Sequence, residues 1–361
     1  MKDWWVYCGE GDPEVRRDRL AGLEAPPWRE FTGAPGSGYT PPGTRGRAWD
    51  RTWTRGSGYV PDEVEKDVVN TALYLRRPLL VTGRPGVGKS TLAHSIAADL
   101  RLGPVLHWPV TSRTTLRDGL YRYDAIGRLQ DANLHQMRAP APAPVPDLAG
   151  DAGTAAGGED DPAPGASITP YLRLGPLGTA LLPQDTPRVL LVDEIDKSDI
   201  DLPGDLLTVF EEGGFEIPEL ARLAVRQPSV RIATDDSPDT LARVERGHVR
   251  CRSFPIVVLT SNGERDFPPP FLRRCIRLHM EPPGREKLEG IIRSRLRVAP
   301  GSEGDYEDLV QNFLTRGADG DLATDQLLNA IHLRLNNAWT GPEDRERFLD
   351  TVLQRLTGPA S

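Results

Sequence analysis

The chain is short of everything that would place it outside the cell or within a membrane. Its three cysteines, Cys8, Cys251 and Cys275, lie far apart. They share neither a disulfide framework nor metal-ligand spacing, so they read as buried, inert thiols of a reducing compartment. The opening Met1-Lys2-Asp3-Trp4-Trp5 has no apolar stretch suited to a signal peptide. No run approaches membrane-spanning length. Basic excess is missing too: the formal net charge of −8 argues against a surface that coats nucleic acid. A cytoplasmic protein with no membrane contact is the expectation.

Aromatic residues are sparse, yet five of the seven tryptophans (Trp4, Trp5, Trp28, Trp49 and Trp53) fall within residues 1–56. Disordered tails are poor in such rings. The spacing there is aperiodic and rich in Gly and Pro, which predicts an extended arm docking its rings on the body, on a neighbouring subunit or on a partner. Arg45, Arg47, Arg51 and Arg55 in the same segment read as a solvated face. Lysine and arginine are absent from 139–167, a stretch of Ala, Pro, Gly and acids. So few bulky apolar groups cannot offset chain entropy, so a disordered surface insertion is expected.

What the chain does contain is organised around residues 78–92. The apolar run Pro78-Leu79-Leu80-Val81 reads as a buried parallel strand. It leads into Gly83-Arg84-Pro85-Gly86-Val87-Gly88-Lys89-Ser90-Thr91 and then a helical stripe, Leu92, Ile96 and Leu100. This is P-loop spacing in its strand–loop–helix context. Glycines let successive backbone N–H groups turn inward around phosphates, and the helix dipole begins at the same place. Lys89 is suited to the β- and γ-phosphates of a nucleoside triphosphate, and Ser90 to its magnesium ion.

Further acids and amides sit at the ends of later strands. Four apolar residues, Val189 to Val192, precede Asp193 and Glu194. Asp193 is suited to hold the ion, and Glu194 to orient and polarise the attacking water, a role that points to hydrolysis. Asn262 ends a fourth strand, Pro255–Thr260, and is assigned to the water or the γ-phosphate; a turn-forming Asn before Gly263 is the plainer account. Arg273 and Arg274 precede a fifth strand, Ile276–Met280. They read either as surface ion pairs or as a guanidinium lent to a neighbouring subunit. A second strand is expected at Val105–Val110, and a hairpin about Val230-Arg231-Ile232. Helical stripes follow from Pro282 onward: Leu288, Ile291, Ile292, Leu296; Tyr306, Leu309, Val310, Phe313; Leu327, Leu328, Ile331, Leu335; and Phe348, Leu349, Val352, Leu353.

Taken together, GRPGVGKS, VLLVDEIDK, TSNGERDFP and FLRRC resemble the AAA+ ATPases. GPLGTALLP and DEIDKSDIDLP resemble the MoxR-type branch, and TSRTTLRDGLYRYDAIGRL with the Trp-rich lead is similar to MoxR-like ATPases of bacterial conflict (defence) systems. The resemblance implies an α/β P-loop NTPase domain (57–281) with a five-stranded parallel sheet in the order 5-1-4-3-2. A small all-helical lid (282–361) would follow. It also implies ATP and Mg2+ as cofactors, Glu194 as the water-activating acid, Asn262 as the sensor, and Arg274, with Arg273 as fallback, as the arginine finger. Hexameric rings, protein remodelling and a von Willebrand A-type partner are implied in the same way. Two departures stand out: Ala323-Thr324-Asp325 occupies the start of the third lid helix, where relatives carry a second sensing arginine, and Arg334 is a poor substitute. Tyr121 and Tyr123 are candidates for a pore loop, though aromatic packing accounts for them as well. A nucleotide-gated signalling switch and a nucleic-acid-translocating motor are the alternatives. A GTPase is disfavoured, because no Asn-Lys-x-Asp guanine-reading motif occurs.

Overall fold

A computed structural model of the chain describes residues 2–9, 11–34, 38–138, 167–296, 306–317 and 322–336. The expected insertion, apart from Ser167, and the last helical stripe lie outside the described residues. In chain order the strands are β1 (Leu79–Gly83), β2 (Leu106–Pro109), β3 (Tyr121–Tyr123), β4 (Leu172–Leu174), β5 (Val189–Asp193), β6 (Gly214–Glu216), β7 (Ser229–Ala233), β8 (Leu241–Glu245), β9 (His248–Arg250), β10 (Ile256–Ser261) and β11 (Ile276–Met280). The helices are α1 (Pro13–Ala21), α2 (Arg47–Gly56), α3 (Glu63–Leu75), α4 (Lys89–Asp99), α5 (Leu116–Leu120), α6 (Ala125–Arg138), α7 (Pro176–Ala180), α8 (Leu202–Glu212), α9 (Pro218–Ala221), α10 (Pro269–Leu272), α11 (Arg285–Leu296), α12 (Glu307–Gly317) and α13 (Thr324–Leu335).

The central sheet runs β11-β1-β10-β5-β2, with every pair parallel. Strands buried on both faces need uninterrupted apolar runs. LLV in β1, VLLV in β5 and VVL in β10 supply them, each with residues at or near zero exposure. Alternate residues feed two cores. Leu79, Val81, Val189, Leu191 and Val258 join Leu92, Ala93, Ile96 and Ala97 of α4 and Val69, Ala72 and Leu73 of α3. Leu80, Leu190, Val192, Val257 and Leu259 face the other way, onto Leu202, Leu206, Val209 and Phe210 of α8 and Phe271 of α10. Helices α4 and α8 therefore lie on opposite faces of the sheet. Because all five strands point one way, residues that follow β1, β5 and β10 gather at one edge.

A second sheet, β3-β4-β7-β8-β9-β6, packs beside the first. Its centre is the β7–β8 hairpin, paired from Ser229↔Glu245 to Ala233↔Leu241. The alternation around Val230-Arg231-Ile232 foretold that hairpin. The other strands are only three residues long and were not foreseen. Helices α11, α12 and α13 bury a separate core of Leu288, Ile292, Tyr306, Leu309, Val310, Phe313, Leu327, Ala330 and Ile331.

The N-terminal segment departs from the extended arm that its Gly- and Pro-rich composition suggests. It forms α1 and α2, with a short 3-10 turn at Pro27–Arg29 between them. Asp12 accepts from the Glu14 N–H to cap α1. The segment is tied to its own body: the Val6 and Tyr7 N–H groups donate to Asn70 Oδ1 at 2.7 and 2.9 Å. Arg16 meets Asp99 at 2.6 Å. Trp5 and Trp49 are buried, whereas Trp4, Trp28 and Trp53 remain exposed. The aperiodic composition hid these helices because α1 and α2 are short and owe their place to tertiary ties.

Candidate functional site

The turn after β1 is built for a bound anion. Gly86 and Gly88 adopt φ of +77° and +103°, which a side chain would resist. Gly88 also caps α4 without any side-chain hydrogen bond, so the first-turn N–H groups of α4 keep their donor capacity. Arg84, Pro85 and Gly86 form the exposed crown of the turn, and Val87, Ser90 and Thr91 are half-buried beneath it. Lys89 is buried and donates to the carbonyls of Gly83 (2.7 Å) and Arg84 (2.8 Å) and to Asn262 Oδ1 (2.8 Å). Burial lowers its pKa, while Asp196, Asp193 and Glu194 act the other way.

Ser90, on the first turn of α4, donates to Asp193 Oδ1 at 2.7 Å. Thr260, on the adjacent β10, donates to the same oxygen at 2.6 Å. Burial raises the Asp193 pKa, but hydrogen bonds from His107, Thr260 and Ser90 outweigh it and hold the carboxyl at about 2. Asp193 is therefore a fixed anion beside a hydroxyl, a hard-oxygen pair that fits magnesium. Among the described residues no group of three His, Cys, Asp or Glu is placed to hold a metal. Ser90 and Asp193 would thus hold the ion together with nucleotide phosphates and water, as magnesium commonly is.

Glu194 follows with φ of +60°, a left-handed conformation costing a non-glycine residue on the order of 1–3 kcal/mol. Its N–H donates to Thr260 Oγ1 at 2.9 Å, which anchors the turn. Its carboxylate, partly exposed, meets Lys197 at 2.7 Å. Asn262 follows β10, which lies between β1 and β5. Its N–H donates to Asp196 Oδ2 at 2.8 Å, and Glu264 N–H donates to the same oxygen at 3.1 Å.

All the P-loop residues, Asp193, Glu194 and Asn262 are thus brought to one end of the sheet. Sequence reasoning passed over Thr260, which joins Asp193 to Glu194, and Asp196, which fixes the Asn262 backbone. It also passed over His107, whose Nε2 lies 3.4 Å from Asp193 Oδ2. A polar Thr ending an apolar strand one step before Ser261-Asn262, and a third acid in DEID, were the signals available. Asp196 is only 3 % exposed, which an isolated string of charges does not announce.

A family model described as AAA domain (dynein-related subfamily) matches residues 78–275, more than half of the chain. The protein belongs to the AAA family. A comparison with curated proteins found no match. An AAA domain is a nucleotide-hydrolysing module, and the matched span runs from the residue before β1 to the one before β11. It covers every residue of the cluster just described.

The remaining candidates lie elsewhere. Arg273 and Arg274 precede β11, which runs in parallel register with β1 from Leu79↔Ile276 to Gly83↔Met280. They sit at the sheet end opposite the AAA domain's own glycine turn. Arg274 donates to Glu211 at 2.7 Å, and Arg273 is exposed. Tyr121 is buried, stacks with Phe215 and donates to Glu219 at 2.9 Å. Tyr123 accepts from Arg128. These are packing roles. Arg334 meets Asp308 at 3.1 Å within the helical bundle. At the start of α13 there is backbone contact instead of an arginine: Thr324 N–H donates to the Gly86 carbonyl at 3.4 Å. A Cβ on Gly86 would lie 2.3 Å from Ala323 Cβ. The Tyr59 ring lies against Gly88, where a Cβ would meet it at 3.5 Å. Among the described residues no helix is long and apolar enough to cross a membrane.

Proposed function

We propose that the protein is an Mg2+-dependent ATPase of MoxR type that assembles into a ring and remodels a protein partner, a von Willebrand A-type protein being one candidate. The observation carrying the catalytic half is the Ser90–Asp193–Thr260–Glu194 chain. It sets a metal-binding pair, with the Glu194 carboxylate directly after it, at the end of β5, two strands from the P-loop strand, an arrangement suited to phosphoryl transfer to water. ATP is preferred over GTP because the chain lacks the guanine-reading motif. The ring reading draws support from Arg274, which lies at the sheet end opposite its own glycine turn, so that a guanidinium role for it would be exercised toward a neighbour. Helices α11–α13 act as the lid, touching the P-loop through Ala323 and Thr324.

The test is Glu194→Gln. Nucleotide affinity should stay within about twofold, while turnover falls about a hundredfold or more. Unchanged turnover removes Glu194 from its role. Mixing Arg274→Ala subunits into wild type should depress activity beyond simple dilution, and linear dilution would argue against a finger in trans. A second reading, a nucleotide-gated switch with slow turnover, is favoured by the Glu194–Lys197 ion pair, which occupies the carboxylate needed to polarise water. Retention of nucleotide through purification would support it, as would acceleration by Lys197→Ala.

A further inference from the structure

The outer face of α2 carries Arg47, Arg51 and Arg55, all exposed and spaced one helical turn apart. None of the three has an ion-pair partner among the described residues. Like charges at this spacing repel, and only Asp50 shares the face. Across the molecule, on the opposite face of the sheet, the exposed side of α8 is the converse. Asp201, Asp205 and Glu212 are exposed and unpaired among the described residues, with Asp199 just ahead and Ile200 65 % exposed beside it.

We propose that α2 of one copy seats on α8 of the next, as a head-to-tail contact between copies of this chain. This rests on the ring reading above and deepens it. Three observations converge. The charges are complementary and the two stripes share helical spacing. Because α2 and α8 lie on opposite faces of the sheet, they cannot meet within one chain. A contact of two different surfaces repeats from copy to copy and closes into a ring if the rotation allows. Finally, the seat places the chemistry. Helix α2 covers α4, whose first residues are Lys89 and Ser90; the Gly56 backbone lies so close to the His94 carbonyl that a Cβ would sit 2.2 Å from it. Helix α8 carries Glu211, which holds Arg274. Docking α8 onto α2 sets Arg274 on the side of the neighbouring copy that carries the nucleotide helix, with α2 between them. The segment that supplies α2 lies outside the span matched by the AAA model.

The test uses the full chain with Mg2+ and a slowly hydrolysed ATP analogue, reading mass against concentration by mass photometry and sedimentation. The variants are Arg47→Glu/Arg51→Glu and Asp205→Arg/Glu212→Arg, both solvent-facing, with thermal melting as the fold control. Each alone should raise the concentration needed for assembly at least about tenfold. Mixing the two should restore assembly, since every junction then pairs opposite charges, and so should one chain carrying all four changes. Reversals that assemble like wild type, or a mixture that stays dissociated while both variants remain folded, overturn the interface. A wild type that stays monomeric at every concentration overturns the ring itself, so the two failures are told apart.

Discussion

The two sides of the nucleotide turn are held by different kinds of contact. On the sheet side two short hydrogen-bonded groups, Lys89–Asn262–Asp196 and Ser90–Asp193–Thr260, lie next to each other, with every bond 2.8 Å or less. On the side of the helical bundle, Gly86 meets Ala323 and Thr324 through van der Waals contact and one long backbone hydrogen bond. Buried charge-assisted bonds demand defined partners and geometry, whereas a backbone contact tolerates small displacements. The sheet end therefore offers fixed polar geometry to a phosphate, and the bundle contact is the one more easily displaced. At the start of α13, where no arginine stands, the contact with the turn is made by small residues.

The severest way to break the sheet side is Lys89→Ala. It removes the cation that would face the phosphates and strands Asn262 Oδ1 and two carbonyls. Nucleotide affinity measured with a fluorescent ATP analogue should fall at least about a hundredfold, about 3 kcal/mol. A loss under about threefold would mean that the turn does not grip a triphosphate.

A second test separates the site from the wall behind it. His94 stands one turn beyond Ser90 on α4, and neither of its ring nitrogens has a hydrogen-bond partner among the described residues. Burial, with Arg55 and His107 adding to it, lowers its pKa from the ordinary 6.5 to about 4. The unfolded chain therefore takes up a proton that the folded one refuses. This stability is fully present above about pH 6.5 and is lost as the pH falls towards 4, amounting to up to about 3 kcal/mol. Melting curves should show the loss, and His94→Phe should flatten it. Asp193, held at about 2, loses its contribution only below about pH 4, which separates the two effects. A wild-type melting temperature that stays constant between pH 6.5 and 4.5 would contradict the assignment.

Thr260→Val tests the net itself at smaller cost. It keeps the shape of β10 but removes the hydroxyl that joins Asp193 Oδ1 to the Glu194 N–H. Turnover should fall about tenfold with nucleotide affinity nearly unchanged, the pattern of a lost positioning group. An equal loss in both would make Thr260 a structural residue of the strand.

How much of this was legible in the sequence follows from the same contrast. The central strands announced themselves as apolar runs, and their order places Asn262 between the P-loop and Asp193. Residues whose chemistry is carried by a charged or amide side chain at a strand end, such as Asp193, Glu194 and Asn262, were found. Thr260 and Asp196 were not, because their roles exist only once β5 and β10 are neighbours. The N-terminal helices and the short strands of the second sheet were hidden for a related reason. Residues such as Val6 and Tyr7 are fixed by distant side chains, Asn70 and Ser95, and three-residue strands carry too little periodicity to read. Nor does any local pattern say that Ala323 meets Gly86, since contact between two small residues leaves no trace in composition.

The mildest perturbation bears on the side of the helical bundle. Lys287 of α11 meets Glu65 at 2.6 Å and Asp62 at 3.0 Å, tying the helical bundle to the start of α3. Glu65 is buried, whereas Asp62 is half-exposed and already serves as the cap of α3, accepting from the Glu65 N–H. An ion pair shared between a buried and an exposed carboxylate is worth about 1 kcal/mol or less once solvent screening and the desolvation of Glu65 are counted. Lys287→Ala should therefore leave the melting temperature of the sheet domain nearly unchanged. Amide exchange in α11 and in the Gly86 turn should rise together, with nucleotide affinity shifting no more than about fivefold. Faster exchange in α11 alone would mean that the bundle moves without the P-loop sensing it, and the backbone contact at Gly86 would then have no part in coupling the two.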